Sequence, residues 1–133
     1  MFAAQQAKEI VLEVRNEIGI LHQISKIVAE RGVNIAAVLA DVLAENAVIR
    51  ILTDDNLRAK EALEQNGYKP SEFDAVTAEL PHKPGVLETA TERLGRAGID
   101  IRHLAATATT DQAKCLLLLA TSDDQKAVVA LNE

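Results

Sequence analysis

Two short segments place a glycine where a strand gives way to a helix, and that is where a small anion could be held. The first is Arg15-Asn16-Glu17-Ile18-Gly19-Ile20-Leu21, the second Pro81-His82-Lys83-Pro84-Gly85-Val86-Leu87. A residue without a Cβ at this place permits unusual backbone angles and lets a ligand come close to main-chain N–H groups. The unpaired N–H groups of a first helical turn, with the helix dipole behind them, favour a carboxylate or other anion. Asn16, just before the first glycine, and Asn34, at the entry to the following strand, are expected to flank one corner. Each amide can accept from an ammonium and donate to a carboxylate. In the second segment His82 and Asp100 stand at the matching places, where a carboxylate would strengthen the hold on an ammonium or simply pair with the imidazole. The competing reading is that Gly19 and Gly85 only shape a tight turn and that Asn34 caps a helix end.

Other chemistry finds little support. The sequence holds no G-x-S-x-G, no G-x-x-x-x-G-K-[ST] and no H-E-x-x-H. Cys115 lies in a run of leucines and reads as a buried core thiol. His22, three residues past Gly19, reads as exposed. His82 and His103 are expected to be able to approach one another and, with Asp100, would make a thin metal set, but the loose spacing favours a solvated or ligand-facing role. Gly95 and Gly98, in LGRAGID, read as a helix stop. No catalytic residue, metal or cofactor is therefore expected.

The elements that position these corners come from a repeat. Gly19 matches Gly85, Gly32 matches Gly98 and Ile35 matches Ile101, each pair 66 apart (85 − 19, 98 − 32, 101 − 35). Thr53 matches Thr121 and Leu63 matches Leu131 at a spacing of 68 (121 − 53, 131 − 63), which places a two-residue insertion at Thr109-Thr110-Asp111-Gln112. In the first copy Ile10, Leu12 and Val14 alternate as a strand does, and Ile20, Ile24, Ile27 and Val28 recur as in a helix that stops at Gly32. Residues 34–43 and 47–53 read as a hairpin, Asp54 or Asp55 as the N-cap of a helix to Gln65, and Tyr68–Phe73 as a closing strand with Pro70 near its edge. The second copy reads as 76–80, 86–96, 99–107, 114–121 and a helix from Asp123, with its final strand absent or supplied from elsewhere. The chain is thus expected to be α+β: two ferredoxin-like β-α-β-β-α-β units, 8–73 and a truncated 74–133, with antiparallel sheets and helices on one face. A sheet edge left open by the truncation would drive pairing into a homodimer.

Composition narrows the partners. Of 133 residues 20 are acidic and 14 basic, a formal charge of −6, so the basic field of a nucleic-acid binder is missing. Phe2, Tyr68 and Phe73 are too few to make stacking platforms. The densest apolar run, Cys115–Ala120, is far short of a membrane span, and the opening MFAAQQAKE lacks the basic start and apolar stretch of a leader. A lone cysteine is compatible with a reducing compartment. These features point to a soluble cytoplasmic protein with no nucleic-acid or membrane partner.

The pattern strand, polar-x-P-G-[VIL]-L, helix, G-[IV]-[ND]-I, strand resembles the ACT domain, the regulatory module of many enzymes of amino-acid metabolism. HKPGVL…AGIDI fits it well, and NEIGIL…RGVNIAA fits with Ile18 in place of the usual proline. The first copy is also similar to the serine-sensing regulatory domain of 3-phosphoglycerate dehydrogenase, and the whole chain to free-standing tandem ACT proteins. The resemblance implies a non-catalytic regulator that binds an amino acid, with Asn16 and Asn34 holding it across a subunit interface. By the same resemblance the ligand-binding positions are Asn16, Ile18, Gly19, Ile20, Leu21, Asn34 and Ile35 in copy one. In copy two they are His82, Pro84, Gly85, Val86, Leu87, Asp100 and Ile101. A regulated metabolic enzyme is the implied partner, and the alternative is a ligand-free assembly module that dimerises or docks on such an enzyme.

Overall fold

A computed structural model describes residues 2–108 and 114–133, so the expected insertion at Thr109–Gln112 lies outside the described residues. The elements, in chain order, are β1 (Ala3–Arg15), α1 (Ile20–Glu30), β2 (Ile35–Leu43), β3 (Asn46–Thr53), α2 (Asn56–Gln65), β4 (Ser71–Pro81), α3 (Val86–Arg96), β5 (Ile101–Ala108), β6 (Lys114–Thr121) and α4 (Asp124–Asn132). The strands follow the order β2-β3-β1-β4-β6-β5. The chain forms two compact units: Glu9–Phe73, called here the first unit, and Asp74–Glu133 together with the N-terminal segment through Lys8, the second. Each is β-α-β-β-α-β, an α+β ferredoxin-like arrangement.

In the first unit the alternation of β1 sends Ile10 and Leu12 into a core with Ile49 and Ile51 of β3. Helix α1 adds Ile24 and Val28, its helical-period face, and α2 adds Ala59 and Leu63. Leu12 lies opposite Ile49 and Ile10 opposite Ile51, cross-strand partners that share one face. The second unit repeats this with Val76, Ala78 and Leu80 of β4, Leu117 and Leu119 of β6, Ala90 and Leu94 of α3, and Leu131 of α4. Cys115 is buried in that core, as expected. Fully burying a leucine in such a core is worth about 1.5–3 kcal/mol.

The duplication is visible atom by atom at the start of the second helix of each unit. Asp55 accepts from the Arg58 N–H and Asp123 from the Lys126 N–H, both at 3.1 Å. Thr53 Oγ1 donates to Asn56 Oδ1 and Thr121 Oγ1 to Asp124 Oδ1, both at 2.6 Å.

One expectation is corrected, and the alternative left open for the last strand is decided. Tyr68–Phe73 and Val76–Leu80 are not separate strands. Pro70 delays the strand to Ser71, nothing after Phe73 makes a turn, and β4 then runs unbroken to Pro81. The final strand missing after α4 is supplied by the start of the chain: β1 begins at Ala3, and its residues through Lys8 lie in the second unit. The place beside β4 is therefore taken, because β4 lies between β1 and β6. The edge argument for dimerisation loses its ground there, and the sheet's edges are β2 and β5 instead.

Candidate functional site

Gly19 and Gly85 both adopt φ 86°, with ψ near zero, and each is the N-cap of the helix that follows. That left-handed conformation is what glycine tolerates and a Cβ-bearing residue resists. Among the described residues no side chain caps α1 or α3, whereas Asp55 and Asp123 cap α2 and α4. The first main-chain bonds of α1 run from the Ile20 N–H to Glu17 O (3.1 Å) and from the Gln23 N–H to Gly19 O (3.0 Å). At α3 the Val86 N–H donates to Lys83 O (3.4 Å) and the Thr89 N–H to Gly85 O (3.0 Å). The helix following each glycine thus begins with no side-chain hydrogen bond on its first N–H groups, although α3 carries Glu88 in its first turn, and a Cβ at Gly19 or Gly85 would meet nothing within 4 Å. Such an end can receive an anion.

Around the first corner Ile18 is fully exposed and Leu21 is 42% exposed; Leu87, the counterpart of Leu21, is 48% exposed. Ile20, Ile35, Val86 and Ile101 are half-buried and pack against the two cores; Ile20 and Val86 open the helices that follow the glycines. Pro84 and His82 are exposed on the second turn.

The asparagines do not meet within one chain. Arg15 and Leu43 both face Asn46, so β1 ends level with the end of β2, and the Asn16 N–H donates to Glu45 O in the hairpin there (2.8 Å). Asn34 lies at the other end, where its N–H donates to Asp54 Oδ1 (3.0 Å) and its carbonyl accepts from the Asp54 N–H (3.1 Å). Asn46 and Asp54 are eight residues apart (54 − 46), or roughly 27 Å along a strand. The expectation that both amides flank one corner of one chain is therefore corrected. Asn34 immediately precedes β2, which runs parallel to β1 with β3 between, so the two positions fall at opposite ends.

The second unit repeats the geometry. Pro81 faces Lys114, while Asp100 exchanges bonds with Ser122, whose Oγ accepts from the Asp100 N–H and whose N–H donates to Asp100 O, each at 2.9 Å. Again eight residues (122 − 114) separate the two ends. His82 cannot pair with Asp100 in the same chain, and the Asp100 carboxylate instead lies 3.8 Å from Arg102 Nε, both well exposed. His103 faces Ala120, six residues (120 − 114) from the level of Pro81, so His82 and His103 do not converge either. Among the described residues no three His, Cys, Asp or Glu side chains form a metal-holding group. His22 is exposed, as expected.

Sequence reasoning missed Asp54 and Ser122, which lock the entries of β2 and β5, and it missed Arg102. Reading the hairpin register outward from the turn at Ala44 and Glu45 points to Asp55 opposite Asn34, and the register shift between Ile35 and Ala37 brings Asp54 there instead. It also gave no weight to the β2 edge, where Val38, Val42 and Leu43 are 45%, 55% and 76% exposed.

Comparison with known proteins agrees with this fold. Residues 10–66 match the family described as AHAS small subunit-like ACT domain. No curated protein matches the chain significantly. Among solved structures, protein BT0572 from Bacteroides thetaiotaomicron is similar at 22% identity and a TM-score of 0.88, over 98% of this chain and 89% of that one. The ligand-free regulatory subunit of aspartate kinase from Thermus thermophilus is similar at 15% identity and a TM-score of 0.70, over 98% and 94%. A C-terminal regulatory domain of aspartate kinase from Porphyromonas gingivalis W83 is similar at 16% identity and a TM-score of 0.59, over 99% and 95%. At these identities the likeness establishes a shared fold. Among the described residues no helix is long and apolar enough to cross a membrane.

Proposed function

We propose that this protein is a non-catalytic regulator that senses an amino acid at the Gly19 corner, completed by Asn34 of a second copy. The observation that carries the reading is the contrast in helix starts. The helices after Gly19 and Gly85 lack a side-chain cap, while the other two carry an aspartate cap. An amino acid's carboxylate supplies the missing acceptor, and amide oxygens can take its ammonium. The ACT match over residues 10–66, and the regulatory subunits and domains among the similar folds, support a sensing rather than a catalytic role. The tandem of two such units and the serine-sensing likeness of the first belong to the same proposal.

A homodimer is the arrangement that would bring the two amides to one site. β2 is an edge strand whose sequence, IAAVLADVL, carries one charge, and uncharged edges template pairing. A second copy joining antiparallel about a two-fold axis at Leu39, the midpoint of β2, sets position 34 of the partner level with Ala44 (34 + 44 = 2 × 39). The partner's Asn34 then lies at the same end of the joined sheet as Asn16, and a parallel pairing would keep the two apart. The β5 edge carries Arg102 and His103 and none of the exposed large apolar side chains, so it is the poorer surface for a partner. The protein works in the cytoplasm, without cofactor, nucleic acid or membrane, on a metabolic enzyme as its regulated target.

The test is a thermal-shift screen of the twenty amino acids on the whole protein. At a ligand concentration one hundred times Kd, stabilisation should reach about 2.7 kcal/mol. A screen in which no amino acid raises the melting temperature, with the protein shown dimeric by light scattering, favours the ligand-free assembly module instead.

A further inference from the structure

Strand β1 serves both units. It is one strand from Ala3 to Arg15, yet its residues through Lys8 lie in the second unit and those from Glu9 in the first. Ala4 belongs to the second core, while Ile10 and Leu12 belong to the first. Between them Gln6 and Lys8 are exposed and Glu9 is fully buried, so each set is held by its own core. A slip of one residue would turn both sets out of their cores together.

The start of this strand is clamped. The Ala4 N–H donates to Asn132 Oδ1 (2.8 Å), and Asn132 Nδ2 donates to Ala4 O (3.0 Å), so one side chain at the end of α4 holds both main-chain groups. Arg93 of α3 stacks its guanidinium 4.4 Å from the Phe2 ring centroid and donates through Nη1 to Leu131 O (2.8 Å). The other end of the same strand runs directly into Asn16 and the Gly19 corner.

We propose that β1 couples the two units: the seating of residues 2–8 in the second unit governs how firmly the Gly19 corner is held in the first. A strand locked in register in two cores cannot absorb a displacement at one end by slipping, so loosening one end raises the opening of the other. Such coupling is reciprocal, and a ligand that orders the corner also tightens the N-terminal strand. That last step rests on the sensing role proposed above; the coupling itself belongs to the ligand-free chain. β4 offers only a weaker counterpart. Its residues Ser71–Phe73 in the first unit are exposed, and they are held through Glu72, which accepts from Asn56 Nδ2 (3.1 Å) and pairs with Lys60 (3.6 Å).

The experiment is amide hydrogen exchange on the full ligand-free chain carrying Asn132→Ala. Exchange at residues 4–8 should quicken about tenfold, and that of Asn16, Ile20 and Gln23 at least about threefold. Asn66→Ala is the control, since it removes a bond from Asn66 Nδ2 to Ala62 O (2.8 Å) inside the first unit and off β1; the corner should stay unchanged. An effect of Asn132→Ala that stops at Lys8, or an equal loosening of the corner by Asn66→Ala, overturns the coupling. If Asn132→Ala unfolds the second unit, Arg93→Gln is read by the same amides and the same criteria. Should the exchange pattern appear while no amino acid binds, the coupling stands and the sensing role falls. Binding without the pattern upholds the sensing role and overturns the coupling.

Discussion

The two units are built alike and bounded differently. Their cores and helix caps correspond residue by residue, from Leu63 and Leu131 to Asp55 and Asp123, and both first helices begin at a left-handed glycine. The edges diverge. β2 exposes Val38, Val42 and Leu43, while β5 carries Arg102 and His103. The residues flanking the first helix of each unit diverge as well, with Asn16 and Asn34 in one unit and His82 and Asp100 in the other. The duplicated fold thus keeps its packing in both copies, and under the proposed function the distinction between a ligand-taking corner and a structural one would fall on a handful of exposed positions that packing does not fix.

The largest effect should show no difference between the copies. Leu63→Ala and Leu131→Ala each empty a fully buried site and should cost about 2–5 kcal/mol. Urea unfolding should give losses within about 1 kcal/mol of one another if the two cores are equivalent. A much smaller loss for Leu131→Ala would mean that the unit completed by residues 2–8 is the looser one.

Binding should separate them. Asn34→Ala should weaken the best amino acid by about tenfold to a hundredfold, roughly 1.5–3 kcal/mol, while Asp100→Ala should have a much milder effect. Calorimetry checks this, and a greater loss for Asp100→Ala would move the site to the second unit.

Gly19→Ala and Gly85→Ala come next. Nothing lies within 4 Å of either added Cβ, so the cost is that of the left-handed backbone, about 1–2 kcal/mol. Equal stability losses, with ligand binding diminished only by Gly19→Ala, would sharpen the contrast. Binding lost in step with the fold would instead support a purely structural turn. The smallest effect is at the caps, where Asp55→Ala and Asp123→Ala should each lower stability by about 1 kcal/mol, as thermal unfolding can measure.

Most of the fold was legible because it rests on local rules applied twice. The 66- and 68-residue repeat, the glycines before α1 and α3, and the helix limits Val86–Arg96 all follow from periodicity and caps. What the sequence hid were facts of long range. MFAAQQAKE shows no strong strand pattern of its own; its residues from Ala3 on form a strand because the second unit has a place for them beside β4, with Asn132 there to bind Ala4. Asn16 and Asn34 look adjacent when both are read as flanking one helix. The helix between them, α1, carries the chain back along the sheet, and only the register through β3 reveals that they lie at opposite ends.

That separation makes the central claim open to a direct measurement. Asn16→Ala and Asn34→Ala chains should each bind the chosen amino acid poorly alone. When the two are mixed, unfolded and refolded together, half of the dimers should be mixed, and each mixed dimer rebuilds one intact corner from the Asn16 of one chain and the Asn34 of the other. Calorimetry of the mixture should recover wild-type affinity at about a quarter of the sites. A mixture that binds no better than its parents would contradict a site shared between two copies.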